Sequence, residues 1–84
     1  MKKRTVRLVD ARGALCPVPT VMAALALEAG PAGCVVDVRA DDPTTRRDLP
    51  LWCREFGHRV VEIQDAESEF RVRIQKGAIG GGKK

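Results

Sequence analysis

Three cysteines are the residues best suited to chemistry in this chain, and one of them, Cys16, stands in an unusual setting. It is followed by Pro17, Val18 and Pro19, then by a stretch rich in alanine and leucine that reaches Ala29. Proline is tolerated at a first helical turn because the N–H it lacks would have had no intrahelical partner. Cys16 is therefore expected at the N-cap of a helix, where free amides carry partial positive charge and favour an anion such as a thiolate. Pro17 and Pro19 carry no amide hydrogen, so Val18 and Thr20 would hold the nearest donors. A helix terminus contributes only about 0.3–1 kcal/mol to a nearby anion, so the activation is modest. That is enough for a thiol that accepts a group and surrenders it again, a task that needs exposure and nucleophilicity more than a set of acids and bases. Arg12 is the nearest cation along the sequence.

Cys34 falls on the inward parity of a strand and Cys53 on the apolar stripe of a helix. Free cysteine is commonly buried, and both read as core. The functional alternative for Cys53 is to resolve a persulfide or disulfide at Cys16. No CxxC pair occurs, and a metal site of the three cysteines with His58 would have to gather widely spaced ligands, so no metal is expected. An odd number of cysteines without a disulfide framework points to a reducing compartment, the cytoplasm. His58, at the start of a strand, reads as a surface residue.

The elements that must position Cys16 follow from periodicity. Thr5 to Val9 alternates as a first strand, and Asp10 to Gly13 forms a polar connection to the first helix. Gly30, Pro31 and Gly33 end that helix. Cys34 to Ala40 reads as a second strand, with Cys34, Val36 and Val38 facing the core and Val35, Asp37 and Arg39 facing away. Asp41, Asp42 and Pro43 lead into a second helix whose stripe is Leu49, Trp52, Cys53 and Phe56. Pro50 interrupts that pattern, which predicts an ordered helix from near Leu49 with Thr44 to Asp48 as a turn. Arg59 to Gln64 gives a third strand, and Phe70, Val72 and Ile74 alternate with Arg71, Arg73 and Gln75 in a fourth. The order βαβαββ defines an α+β fold, a two-layer α/β sandwich with two helices on one face of the sheet. Strand parity places Arg7, Arg39, Arg71 and Arg73 on the open face beside Asp37, as a solvated pleat or a docking surface for an acidic partner.

With 84 residues there is room for one core, expected over residues 1–76, followed by a flexible tail at 77–84. A composition of 44% hydrophobic and 31% charged residues suits a compact globule. The net charge of +4 is carried by the ends: without Lys2, Lys3, Arg4, Lys83 and Lys84, ten Lys and Arg face eleven Asp and Glu. A near-neutral body whose only aromatics are Trp52, Phe56 and Phe70 excludes a dedicated nucleic-acid binder. Val6, Leu8 and Val9 are interrupted by Arg7 and Asp10, so no signal-peptide core follows the basic start. No apolar run is long enough to span a bilayer, so no membrane association is expected, and the chain reads as a monomer.

Two blocks carry a resemblance. Asp10, Ala11, Arg12, Gly13, Ala14, Leu15, Cys16, Pro17, Val18 and Pro19 resemble the D-x-x-G-x-x-C-P-x-P signature of the TusA/SirA family of sulfur carriers. Ala40, Asp41, Asp42 and Pro43, through Arg47, Asp48, Leu49, Pro50 and Cys53, are similar to that family's second block. The resemblance runs from Val6 to Ile74. It implies a mixed four-stranded sheet, in a sandwich like the C-terminal domain of translation initiation factor three. It implies that Cys16 receives sulfane sulfur as a persulfide from a cysteine desulfurase or another sulfurtransferase. Cys16 would then pass it to a downstream acceptor protein, with little turnover when partners are absent. No cofactor is implied beyond the transient persulfide. Asp10, Gly13, Pro17 and Pro19 would shape the loop, while Arg12, Asp41, Asp42 and Asp48 are candidates for structure or partner docking. Val18 stands where many relatives have glutamate, and Ala23, Ala24 and Leu25 where many are basic, departures that weaken the match to the partner set of tRNA thiolation and leave the pathway open among tRNA thiolation, molybdenum-cofactor supply and sulfur oxidation. The alternatives are a regulatory module that binds through the arginine-bearing face, and a thiol redox protein pairing Cys16 with Cys53.

Overall fold

A computed structural model describes residues 6–77. The chain runs β1 (Val6–Asp10), α1 (Val18–Ala29), β2 (Val35–Ala40), α2 (Pro43–Glu55), β3 (Arg59–Asp65) and β4 (Phe70–Gln75). The strands form one sheet in the order β1-β2-β4-β3, with β1 parallel to β2 and both remaining pairs antiparallel. This is the expected α+β sandwich with a mixed sheet. Of the tail expected at 77–84, Gly77 is described and residues 78–84 lie outside the described residues, as do the basic residues at both ends.

Register explains the core. Val9 lies opposite Val38, Val38 opposite Val72, and Val36 opposite Ile74, so these side chains share one face. Ala23 and Leu27 of α1 and Leu49 and Cys53 of α2 join them in a single buried cluster. Full burial of one leucine such as Leu27 contributes about 1.5–3 kcal/mol.

The second helix departs from expectation by running unbroken through Pro50. Asp42 caps it, Pro43 occupies its first turn, and Thr45, Leu49 and Cys53 fall every fourth residue on its buried line. The cap and that apolar line outweigh the one hydrogen bond that Pro50 forfeits. Phe56, expected on the apolar stripe, is instead the C-cap residue, 50% exposed, with its ring 5.0 Å from that of Trp52.

Three further differences concern the sheet. Arg7 pairs with Val36 and so points to the helical side, while Leu8 takes its place on the open face opposite Asp37. Cys34 precedes β2 rather than opening it, and is half-buried with its Sγ lying against Gly30. His58 is more than a surface residue: its ring stacks on Trp52 at 5.5 Å, and its Nδ1 accepts the Gly77 amide at 3.1 Å. Gly77 is thereby fastened to the body of the fold.

Candidate functional site

The loop that bears Cys16 begins where β1 ends. The Ala11 amide donates to Arg39 O at 2.7 Å, and the Ala14 amide donates back to Ala11 O at 3.1 Å, closing a turn over Arg12 and Gly13. Gly13 has φ +88°, a left-handed conformation that a side chain disfavours. Asp10 holds the start of this turn: it accepts from the Arg12 amide at 3.2 Å and from its Nε and Nη2 at 2.8 and 2.7 Å. The guanidinium of Arg12 keeps the Asp10 carboxyl well below the usual carboxylate range.

The second sequence block meets this loop directly. The Gly13 amide donates to both carboxylate oxygens of Asp41, at 3.0 and 3.1 Å, and the Cys16 amide donates to Asp42 Oδ2 at 3.0 Å. Topology makes the meeting unavoidable, because β1 and β2 are parallel neighbours and the segments leaving their C-terminal ends emerge side by side. Asp42 Oδ2 also accepts from the amide and hydroxyl of Thr45, at 3.2 and 3.0 Å. Desolvation raises the Asp42 pKa, but the Cys16 amide and the Thr45 donors outweigh it and hold the carboxyl below its ordinary value. One carboxylate therefore fixes the cysteine's backbone and caps the neighbouring helix.

Cys16 itself is half-buried, with Leu15 before it and Pro17 and Val18 after it exposed. It is not the N-cap. That position belongs to Pro17, after a cis Cys16–Pro17 peptide, and α1 starts one residue later than expected. The Val18 amide is committed to Leu15 O at 2.8 Å, so it is not free to face the sulfur. Pro19 is buried under the first turn. Among the described residues no acceptor is placed for the Thr20 amide, which is left as the open donor of that turn.

The nearby cation also differs from expectation. Arg12 is occupied by Asp10 and reaches Glu69 at 3.6 Å. Arg47 instead stands close enough for the charge of Cys16 to be felt: its pKa is raised first by Asp48, whose Oδ1 lies 2.9 Å from its Nε, and in smaller measure by Cys16. Arg47 is 73% exposed and lies in the second sequence block, one residue before the candidate Asp48. That proximity was the only sequence signal for it. Asp48 makes its hydrogen bond to Arg47 and none to the Cys16 loop. Cys53 is fully buried, and burial pushes its thiol up to about 12.

Among the described residues no group of three or more His, Cys, Asp or Glu side chains is gathered to hold a metal ion, and no helix is long and apolar enough to cross a membrane. A half-exposed thiol on a loop fastened at two amides, beside one arginine, is a site for holding a group and handing it on. The family profile described as "Sulfurtransferase TusA" matches residues 7–76, and the chain belongs to the TusA family. It is 41% identical over 68 residues to the sulfur carrier protein TusA of Pseudomonas syringae pv. syringae, covering 81% of both chains. To the sulfur carrier protein TusA of Pseudomonas putida strain F1 it is 37% identical over 71 residues, covering 84% of this chain and 89% of the other. The crystal structure of a SirA-like protein from Desulfitobacterium hafniense superposes with a TM-score of 0.73 at 31% identity, over 87% of this chain and 99% of that one.

Proposed function

We propose that this chain is a sulfur carrier in which Cys16 accepts sulfane sulfur as a persulfide and passes it to an acceptor protein. The carrying observation is the half-exposed Cys16 with its own amide fastened to Asp42, in a chain of this family. The Cys16 thiolate attacks the outer sulfur of a donor persulfide: the Cys16 S–S bond forms, the donor S–S bond breaks, and the donor departs as a thiolate. In the second step an acceptor thiolate attacks the outer sulfur on Cys16, and Cys16 leaves as the thiolate. Sulfane sulfur is transferred intact, so neither step needs an outside oxidant or reductant. Arg47, on the neighbouring helix, is the cation whose charge interacts with that of Cys16. Donors and acceptors must supply what the site lacks in acid–base groups, so the chain acts as a sulfurtransferase only in their company, as a monomer in the reducing cytoplasm.

The alternatives find less support. On the open face Arg73 is paired with Asp37 at 2.7 Å and Arg39 with Glu69 at 2.6 Å, while Arg71 donates to the neutral Gln64 at 2.6 Å, so two of these three arginine charges are met within the fold. A redox partnership with Cys53 would require a fully buried thiol that burial holds in its protonated form. The test is intact-mass analysis after incubation with inorganic polysulfide. One sulfur should be added to Cys16 and none at that position in Cys16→Ala; equal loading of the variant would sink the proposal.

A further inference from the structure

Helix α1 carries a second apolar face that nothing among the described residues covers. Its buried side is Pro19, Ala23 and Leu27. Almost opposite, Val18, Val21 and Leu25 follow a spacing of three and four residues, and they are 48%, 50% and 61% exposed. Leu15, 70% exposed, extends the line past the start of the helix to the residue before Cys16. Of the twelve residues of α1, only Glu28 is ionisable. A helix hydrophobic on all sides belongs in a buried setting, and an exposed contiguous apolar line marks an interaction site.

We infer that Leu15, Val18, Val21 and Leu25 form the docking surface for the proteins that exchange sulfur with Cys16, and that those partners present their thiol from an apolar, sparsely charged surface. The inference rests on the carrier reading of Cys16. Two observations select this occupant. The line is continuous with the loop that holds Cys16, so any protein bringing a sulfur atom within bonding distance of Cys16 must lie over Leu15 and Val18. Four such side chains expose roughly a few hundred Å², well short of the ~800 Å² per partner that a stable interface buries, and suited to brief contact with successive partners rather than to a lasting dimer. The chain brings no charge of its own along the line between Leu15 and Leu25, so a highly charged partner surface would lose hydration without compensation.

The experiment compares a small donor with a protein donor. Cys16 of the wild type and of the double variant Val21→Lys, Leu25→Lys is loaded from inorganic polysulfide and, separately, from a cysteine desulfurase supplied with cysteine. Both substituted positions are solvent-facing and lie outside the Cys16 loop. The expected result is polysulfide loading within about twofold of wild type and desulfurase loading slower by about tenfold or more, as removal of an interface anchor produces. The neutral pair Val21→Thr, Leu25→Gln should shift desulfurase loading in the same direction by less. Desulfurase loading of the lysine variant at the wild-type rate would overturn the docking surface while leaving Cys16 as the carrier. Sedimentation showing a wild-type dimer that the lysine variant splits would assign the face to a second copy and overturn it too. Failure of wild-type Cys16 to load from polysulfide would overturn the carrier reading and the surface together.

Discussion

The Cys16 amide donates to Asp42 Oδ2 at 3.0 Å, across 26 residues of sequence, and the same oxygen accepts the Thr45 amide that starts α2. The loop that presents the sulfur is thus held by the cap of a neighbouring helix. Any disturbance of that cap reaches the thiol.

Asp42→Ala removes the loop's anchor and the α2 cap in one step. Loss of a capping side chain lowers the melting temperature of a domain this small by on the order of 5 °C. Polysulfide loading of Cys16 should slow as well, because the loop loses its fixed presentation. Asp42→Asn keeps an oxygen acceptor and should recover most of the stability. Thermal melts alongside loading rates decide it, and a fully stable Asp42→Ala that loads normally would remove Asp42 from the account.

Two glycines should respond differently to alanine. At Gly13 a Cβ meets nothing within 4 Å, so the cost is the left-handed backbone alone, about 1–2 kcal/mol. At Gly77 a Cβ would run into the Gly57 carbonyl, so backbone must move and the His58 contact is lost with it. Denaturant titrations should show a loss for both, with Gly13→Ala alone also slowing sulfur loading.

Cys53 should resist alkylation in the folded protein. Its side chain is fully buried and its thiol is pushed up to about 12 by that burial, whereas Cys16 and Cys34 are both half-buried. Iodoacetamide near neutral pH followed by peptide mapping should find Cys16 modified first and Cys53 untouched until the protein is unfolded. Early labelling of Cys53 would reopen a redox role for it.

His58 should make stability depend on pH. Burial, and then the charge of Lys76, hold its pKa below the ordinary 6.5, and its Nδ1 must be unprotonated to accept from Gly77. Protons therefore bind the unfolded chain more readily, so this contribution is complete above about pH 6.5 and is lost as the pH falls below it. Asp10 and Asp42 are lowered from 3.8, so their contributions are lost only in more acidic solution. Melting temperatures between about pH 7 and 5 should fall in the wild type and stay flatter in His58→Phe, which keeps a ring against Trp52. Equal slopes would contradict the assignment.

The elements and their order were legible because alternation in β4 and the alanine-rich run of α1 are strong local signals. The site was legible only in part. Cys16 could be singled out by its prolines, but hydrogen bonds to Asp41 and Asp42 span 28 and 26 residues and depend on β1 lying beside β2, which no local pattern records. The same pairing set the parity of Arg7, which a five-residue strand with two charged positions does not fix. Arg12, nearest to Cys16 along the chain, turned out to serve Asp10, while Arg47 approaches from another helix. Pro50 misled because its cost is local, whereas the cap and the buried line that override it are tertiary.

The central claim is that sulfur resides on Cys16 and leaves it for another thiol. The direct measurement is a single-turnover chase: the chain is loaded with isotopically labelled sulfane sulfur, freed of donor and mixed with an excess of an acceptor thiol. Peptide mass mapping then follows the label. The account predicts one labelled sulfur on the Cys16 peptide, gone after the chase and recovered on the acceptor. Label on the Cys34 or Cys53 peptide, or label that stays on Cys16 when the acceptor is added, would contradict it.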